Sequence, residues 1–450
     1  MLKTKLFKHQ QKAFDKLKSY NVGALFMDMG TGKTRTAIEF IEYRKNKISN
    51  VLWLCPVSIK LTIKKDIEKH SDLKVCLVPE ENLQADIYIC GLESIASSDR
   101  IYFKAIKLVD EKTFIICDES IYIKNPNSKR SYRSTNLAKN SKYKLILNGT
   151  PVSNTEADLF QQMKFLSPKI LGFNSFYSFA AQHVVYSEKY PDKIEAIVGS
   201  EKIAKKIAPI SYQIKKEECF DMPAKTFNSI YFDISSEAKE SYNTVKEEIL
   251  EKEFEDDLDI IRLFTHLQSI TCGFCSFWEK EINFDTSNKI NALKSHIKST
   301  NDKIIILSKY IKEIDQISEE IEGEKFFYYG SKKDNLEDFL KSEKGILIAN
   351  HKCLSFGHNL QECCNMVFYS NTFNYAERKQ AEDRIYRHGQ KRKVIITTFI
   401  GENTIDEYIE SNLMRKQMTL NNVESEIKKV KDKKEMLNKI CKGFKVKKNG

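Results

Sequence analysis

Several features are missing from this sequence, and each absence narrows what the chain can be. No apolar run approaches the length of a bilayer span: the longest, such as Val51–Pro56 and Phe114–Cys117, are strand-sized. The opening stretch MLKTKLFKHQQKAF has neither an apolar core of signal-peptide type nor a small-residue cleavage site, so a cytosolic protein is expected. A disulfide framework is missing too. The 11 cysteines are an odd number without framework spacing, and several sit inside apolar strand-like runs, where a free thiol acts as a small hydrophobe. Cys272-Gly-Phe-Cys275 is half of a metal or redox site, but no second pair follows at zinc-finger distance. A helix end packed in the core is the plainer reading. No internal repeat or low-complexity tract appears.

What remains is an ordinary globular composition, 41% hydrophobic and 30% charged, in a 450-residue chain long enough for two cores. The formal charge of +11 favours a polyanionic partner, since phosphate contacts release counterions. Part of the excess is local. Residues 428–450 hold ten lysines against Asp432 and Glu435, and such a tail reads equally well as a nucleic-acid contact or as a solvated end. The acidic stretch Glu247–Asp259 reads as a solvated helix face.

Short apolar strands alternate with helical stretches from Leu6 to about Leu166: Ala24–Asp28, Val51–Cys55, Val75–Val78, Ile87–Cys90, Phe114–Asp118 and Lys144–Asn148. This alternation predicts a parallel sheet covered on both faces. The middle is richer in Lys, Glu and aromatic residues with helical periodicity, and reads as helical insertions plus a connecting strand or two. Alternation then resumes with Lys303–Ser308, Lys325–Tyr329, Gly345–Ala349, Met366–Ser370 and Val394–Phe399. The expected organisation is a first α/β lobe over 1–166, helical insertions and a connector over 167–286, a second lobe over 287–410, and a helical brace with basic tail over 411–450.

Met27-Asp-Met-Gly-Thr-Gly-Lys-Thr34 follows an apolar strand and opens a helix, the context a phosphate loop requires. Gly30 and Gly32 let backbone N–H groups approach phosphates, Lys33 pairs with the β- and γ-phosphates, and Thr34 offers a hydroxyl to Mg²⁺. Met27, Asp28, Met29 and Thr31 complete the candidate ATP-binding loop, a variant because the strict pattern has Gly where Met27 stands. Phe114-Ile-Ile-Cys-Asp-Glu-Ser120 is the second half. Asp118 is delivered to a strand end to hold Mg²⁺, and Glu119 stands beside it to act on the attacking water. Alone, this would be a buried strand capped by two acids; beside a phosphate loop, chemistry is the better reading.

With these motifs in place, the chain resembles the SNF2-like branch of superfamily 2 helicases and translocases along nearly its whole length. Leu6-Phe-Lys-His-Gln10 is similar to the adenine-recognition motif, Met29-Gly-Thr-Gly-Lys-Thr34 to the family's phosphate loop, and Asp118-Glu-Ser with trailing Lys124-Asn125 to its acidic box. Cys55-Pro-Val-Ser58 resembles a DNA-touching loop, Leu147-Asn-Gly-Thr-Pro-Val-Ser-Asn154 the GTP-x-x-N motif, and Gly357-His-Asn-Leu-Gln361 a second-lobe motif. The closest match is Gln380-Ala-Glu-Asp-Arg-Ile-Tyr-Arg-His-Gly-Gln390. Ile121 departs from the histidine usual after the acidic pair, and no tryptophan follows Pro56.

The resemblance implies two tandem RecA-like lobes with helical insertions and a helical C-terminal extension. It implies that Gln10 reads the base, that Gln380 joins the ATP site, and that Arg384 and Arg387 stabilise the transferring phosphoryl group. Thr150, Gly357 and Asn359 would couple nucleotide to DNA, and Ser58, Lys60, Lys124 and Asn125 would touch DNA. The implied cofactors are ATP and Mg²⁺. The implied partner is duplex DNA, forked or four-way, with a branch-migration role like that of compact phage helicases; the lysine-heavy composition suits a phage or a low-GC bacterial source. Rival expectations are an ATP-switched DNA clamp or anti-defence factor, the motor subunit of a restriction enzyme, and an RNA helicase.

Overall fold

The computed structural model describes residues 2–79, 84–149, 151–152, 156–186, 194–251, 257–275, 282–334, 336–354 and 359–419. The chain divides into two compact units, Met1–Asp221 and Met222–Gly450.

The first unit is built on a seven-stranded sheet. Its strands lie in the order Val75–Leu77, Ile87–Gly91, Val51–Cys55, Phe114–Asp118, Tyr143–Asn148, Val22–Met27 and Ser211–Ile214, and every pairing is parallel. Alternate residues of each strand face opposite sides, so an apolar strand must be covered twice. Leu25, Met27, Trp53, Ile116 and Leu147 join a core with Phe14, Ile38 and Ile63 from helices on one face. Ala24, Phe26, Leu54, Cys117 and Ile146 join another with Leu137, Phe160 and Met163 on the other.

The second unit repeats the plan. Its sheet runs Lys225–Phe232, Val394–Gly401, Asn365–Phe368, Ile304–Ser308, Ile346–Asn350, Lys325–Tyr329 and Lys332–Lys333, and only the last pairing is antiparallel. Ile306, Ile348 and Val367 face one core, Ile305, Leu347 and Met366 the other. This is the expected α/β architecture of two RecA-like lobes. Among the described residues no helix is long and apolar enough to cross a membrane.

The stretch 167–286, expected to hold helical insertions and a connecting strand or two, is shared between the two units. The chain divides inside it, between Asp221 and Met222. Ser211–Ile214 extends the first sheet beside Val22–Met27, and Lys225–Phe232 pairs along its full length with Val394–Gly401 at the edge of the second. Helices Ser236–Glu251 and Asp257–Thr271 belong to the second unit. At the far end, helix Ile405–Thr419 runs across the expected boundary at 410/411, with Ile405, Ile409 and Leu413 packed in the core. The lysine-rich segment 428–450 lies outside the described residues.

Candidate nucleotide-binding site

Strand Val22–Met27 ends on the loop Asp28–Gly32, and helix Lys33–Arg44 begins at once. Gly30 and Gly32 have φ of 81° and 83°, the left-handed region that glycine enters without strain. A Cβ on Gly32 would stand 2.1 Å from Gln10 Nε2, so a side chain there is excluded by space as well as by backbone. Lys33 Nζ donates to the Met27 and Asp28 carbonyls at 2.9 and 3.3 Å, which keeps the ammonium over the loop. Thr34 occupies the second helical position, and Thr31 closes the loop by donating its hydroxyl to the Asp28 carbonyl at 2.7 Å.

Gln10 is buried on helix Lys8–Leu17. Its Oε1 accepts from the Phe7 N–H at 2.9 Å and its Nε2 donates to the Thr31 carbonyl at 3.0 Å. The His9 ring contacts the same carbonyl through Nε2 at 2.8 Å. The N-terminal helix is therefore clamped to the loop. Phe7 is half exposed and lies edge-on to Phe220, with ring centroids 5.8 Å apart.

The acidic pair follows strand Phe114–Asp118, separated from the phosphate-loop strand by Tyr143–Asn148 alone. Both groups thus sit at the carboxyl ends of parallel strands one apart in the sheet, where open α/β sheets bind ligands. Asp118 is 6% exposed. Burial, followed by the charge of Glu119, pushes its carboxyl up to about 7, while Lys33 pulls it down. Glu119 adopts φ 50° and ψ 54°, a left-handed conformation that costs a non-glycine residue roughly 1–3 kcal/mol. Its N–H donates to Asp118 Oδ1 at 3.0 Å.

Behind the pair lies a buried polar ring that the spacing of motifs does not reveal. The Ser120 hydroxyl donates to Gln162 Oε1 at 2.6 Å and accepts from Asn148 Nδ2 at 3.4 Å. Gln162 Nε2 donates to the Pro151 and Asp158 carbonyls at 2.7 and 2.9 Å. One signal was available: two adjacent glutamines interrupt the otherwise apolar faces of helix Asp158–Leu166, and both are buried.

On the second unit, helix Tyr375–Ile385 carries Gln380 and Arg384, with Arg387 just beyond its end. Gly389, at φ 98°, turns the chain, and Gln390 Nε2 then donates to the Cys363 and Ile385 carbonyls at 2.9 and 3.2 Å. Arg387 is bonded to Asn359 Oδ1. Arg378 anchors the helix from inside, to Glu382 Oε1 at 3.1 Å and Glu410 Oε2 at 2.6 Å. Lys225 also binds Glu382, so the arginine helix is tied to the edge strand.

Of the expected DNA contacts, Ser58 is exposed on the turn Val57–Ile59. Lys60 Nζ turns inward to the Val78 carbonyl at 2.7 Å, and Lys124 pairs with Asp158 at 3.5 Å. Asn125 caps its own turn through Oδ1, accepting from the Asn127 N–H at 2.9 Å. Thr150, Asn154 and Gly357 lie outside the described residues. Cys272 and Cys275 are both buried, and burial pushes the Cys272 thiol well up. Among the described residues no cluster of His, Cys, Asp and Glu is arranged to hold a metal ion.

Residues 9–368 match the family profile described as the SNF2-related domain. An uncharacterised ATP-dependent helicase of Mycoplasma genitalium is 25% identical over 413 residues, covering 86% of this chain and 39% of that protein. Zorya protein ZorD of Escherichia coli is 22% identical over 453 residues, covering 85% of this chain and 41% of its own length. The DNA repair and recombination protein RAD54B of Gallus gallus is 22% identical over 468 residues, covering 88% and 51%. The chain thus spans about two-fifths to one-half of the curated relatives it matches. Among solved structures, the Sulfolobus solfataricus SWI2/SNF2 ATPase core in complex with dsDNA aligns over 98% of both chains at 24% identity and a TM-score of 0.46.

Proposed function

This chain belongs to the SNF2-related family, and from that premise we propose that it is an ATP-hydrolysing motor that tracks along duplex DNA and works on forked or four-way junctions. One observation carries the reading: a lysine-bearing glycine loop and a strained, partly buried acidic pair stand at the ends of nearby parallel strands of one sheet. Lys33 is near enough for its charge to act on Asp118. Neither a phosphate loop alone nor an acidic strand end alone would be specific.

In this reading the triphosphate lies on the backbone N–H groups of Met29–Thr34, against the helix N-terminus, with Lys33 on its outer phosphates. Gln10 reads the base, with the half-exposed Phe7 ring beside it. The hard oxygens of Thr34 and Asp118 are a donor set suited to Mg²⁺, and a cation there reverses the environment that raises the Asp118 carboxyl. When bound, Mg²⁺ supplies charge neutralisation to the phosphoryl oxygens. Glu119 orients and deprotonates the attacking water.

Gln380, Arg384 and Arg387 complete the machinery from the second unit, the two arginines stabilising charge on the transferring group. Turnover then depends on both units acting on one nucleotide, and repeated engagement and release is the source of stepping. Ser58, Lys60, Lys124 and Asn125 are the proposed backbone contacts. Two of them must exchange internal partners for phosphates. Thr150, Gly357 and Asn359 are the proposed coupling residues. A grip of this kind is indifferent to sequence and strongly weakened by salt, as the +11 charge suits.

The test is ATP turnover by the purified chain with duplex DNA, single-stranded RNA or no nucleic acid, then with a synthetic four-way junction. Stimulation by duplex DNA and junction processing support the reading. Stronger stimulation by RNA makes it an RNA helicase instead, and an intact junction despite DNA-stimulated turnover rejects branched DNA as the substrate.

A further inference from the structure

Gln162 is fully buried, and its amide is fully engaged: the carbonyl takes the Ser120 hydroxyl while both amide hydrogens go to backbone carbonyls, Pro151 and Asp158. Ser120 and Asn148 are equally buried and bonded to each other. The bonds close a ring. Asn148 ends a strand, Pro151 lies three residues later, Gln162 reaches back from the next helix, and Ser120 follows Glu119 directly. Gly149, which follows Asn148, lies against the phosphate loop. A Cβ on Gly149 would stand 3.5 Å from Met29 Cγ and 3.7 Å from Lys33 Nζ.

The buried side chains Ser120, Asn148 and Gln162 have few adjustments open to them, because one that moves alone leaves a donor or acceptor without a partner and away from water. Displacing Pro151 must therefore carry Gln162 with it or break its bond, and displacing Gln162 must do the same to Ser120. The peptide that precedes Ser120 belongs to Glu119, held in a conformation its own side chain disfavours. Something must hold it there, and the neighbour in the chain is the one pinned.

We infer that Ser120 and Gln162 are positioning residues that hold Glu119 in its left-handed conformation, Gln162 being anchored in turn on the Pro151 and Asp158 carbonyls. The inference rests on the proposed role of Glu119 at the attacking water. It assigns a task to two fully buried residues that are not among the proposed nucleotide or DNA contacts.

The experiment compares the full chain with Ser120→Ala, Gln162→Met and the double variant in DNA-stimulated ATP turnover, with melting curves on each. The expected result is a fall in kcat of about tenfold for each single change, the size of one lost buried hydrogen bond, with KM for ATP within about twofold of the parent. The double variant is expected to be no slower than the slower single one, because both changes open the same ring. Ser120→Ala removes a single atom and carries the test by itself if Gln162→Met does not fold. Turnover within about twofold of the parent in a folded variant, or losses that multiply in the double variant, overturns the inference. The parent chain and Lys33→Ala separate the two levels. Lys33-dependent turnover with silent ring variants refutes the inference alone, whereas turnover that is absent or indifferent to Lys33 refutes the reading beneath it as well.

Discussion

Two carboxyl groups, one on each unit, are buried to a similar degree and respond in opposite directions. Asp118 is 6% exposed and pushed up to about 7, because burial and the adjacent Glu119 both disfavour its charge. Glu313 is 1% exposed, and burial alone would push it up; Lys289 at 2.8 Å, with the Ser308 and Ser370 hydroxyls, holds it below the usual carboxylate range instead. Burial sets the stakes and the partner decides the sign. The second unit carries an ion pair complete within the fold. The first carries a buried carboxylate whose neighbours disfavour its charge, and in the proposed function that is the acid that takes a cation from outside.

The largest effect expected from this contrast is on activity. Lys33→Ala and Glu119→Gln should each lower ATP turnover by about 100-fold or more while leaving the melting temperature near that of the parent. A comparable loss of turnover from Lys289→Met in folded protein would erase the distinction between the two units. Next in size is stability. Lys289→Met strands Glu313 as an unpaired buried charge and should cost about 3–5 kcal/mol in urea unfolding. Asp118→Asn removes a disfavoured charge and should be neutral or stabilising, by at most about 1–2 kcal/mol, although it abolishes turnover.

A pH series sharpens the same comparison. The folded-state value of Asp118 is raised from 3.8 to about 7, so the folded chain binds the extra proton and stability from this group falls as pH rises between those limits. Glu313 has a lowered folded-state value, so its contribution is present above the unfolded value and is lost as pH falls through the acid range. In metal-free buffer Asp118→Asn should flatten the first slope and leave the second; if both slopes survive unchanged, Asp118 is not the group responsible. The smallest expected effect concerns glycine. Gly32→Ala, at φ 83° against buried Gln10, should destabilise by about 1–2 kcal/mol, more than Gly389→Ala, where the nearest atom, Gln361 Nε2, is 3.1 Å away. Equal costs would remove the clamp between Gln10 and the loop from the account.

Much of this was legible in sequence because the central strands are nearly continuous apolar runs bounded by turn residues: Val51–Cys55, Phe114–Asp118 and Lys325–Tyr329 lie where the pattern puts them. The edge strands were legible only in part: Val75–Leu77 lies within the expected Val75–Val78, whereas Ser211–Ile214 and Lys225–Phe232 carry no such pattern. Lys225–Phe232 carries Lys, Thr, Asn and Ser and is buried along one side at most, so it lacks the signal of a central strand, and the sequence places no more than an unlocated connecting strand or two in that stretch. Motif residues were legible as types, since glycine, lysine and paired acids have few other reasons to occur in that order. Their partners were not. Ser120 and Gln162 are 42 positions apart and meet only through the fold, and nothing in spacing shows that Lys60 and Lys124 turn inward.

Displacement of the third strand from a DNA triplex tests the central claim most directly, because only a protein that travels along the duplex removes it. The account predicts displacement by the parent chain with ATP and Mg²⁺, and none with Lys33→Ala or without nucleotide. Vigorous DNA-stimulated hydrolysis with the triplex left intact would contradict it and leave a nucleotide-switched clamp in its place.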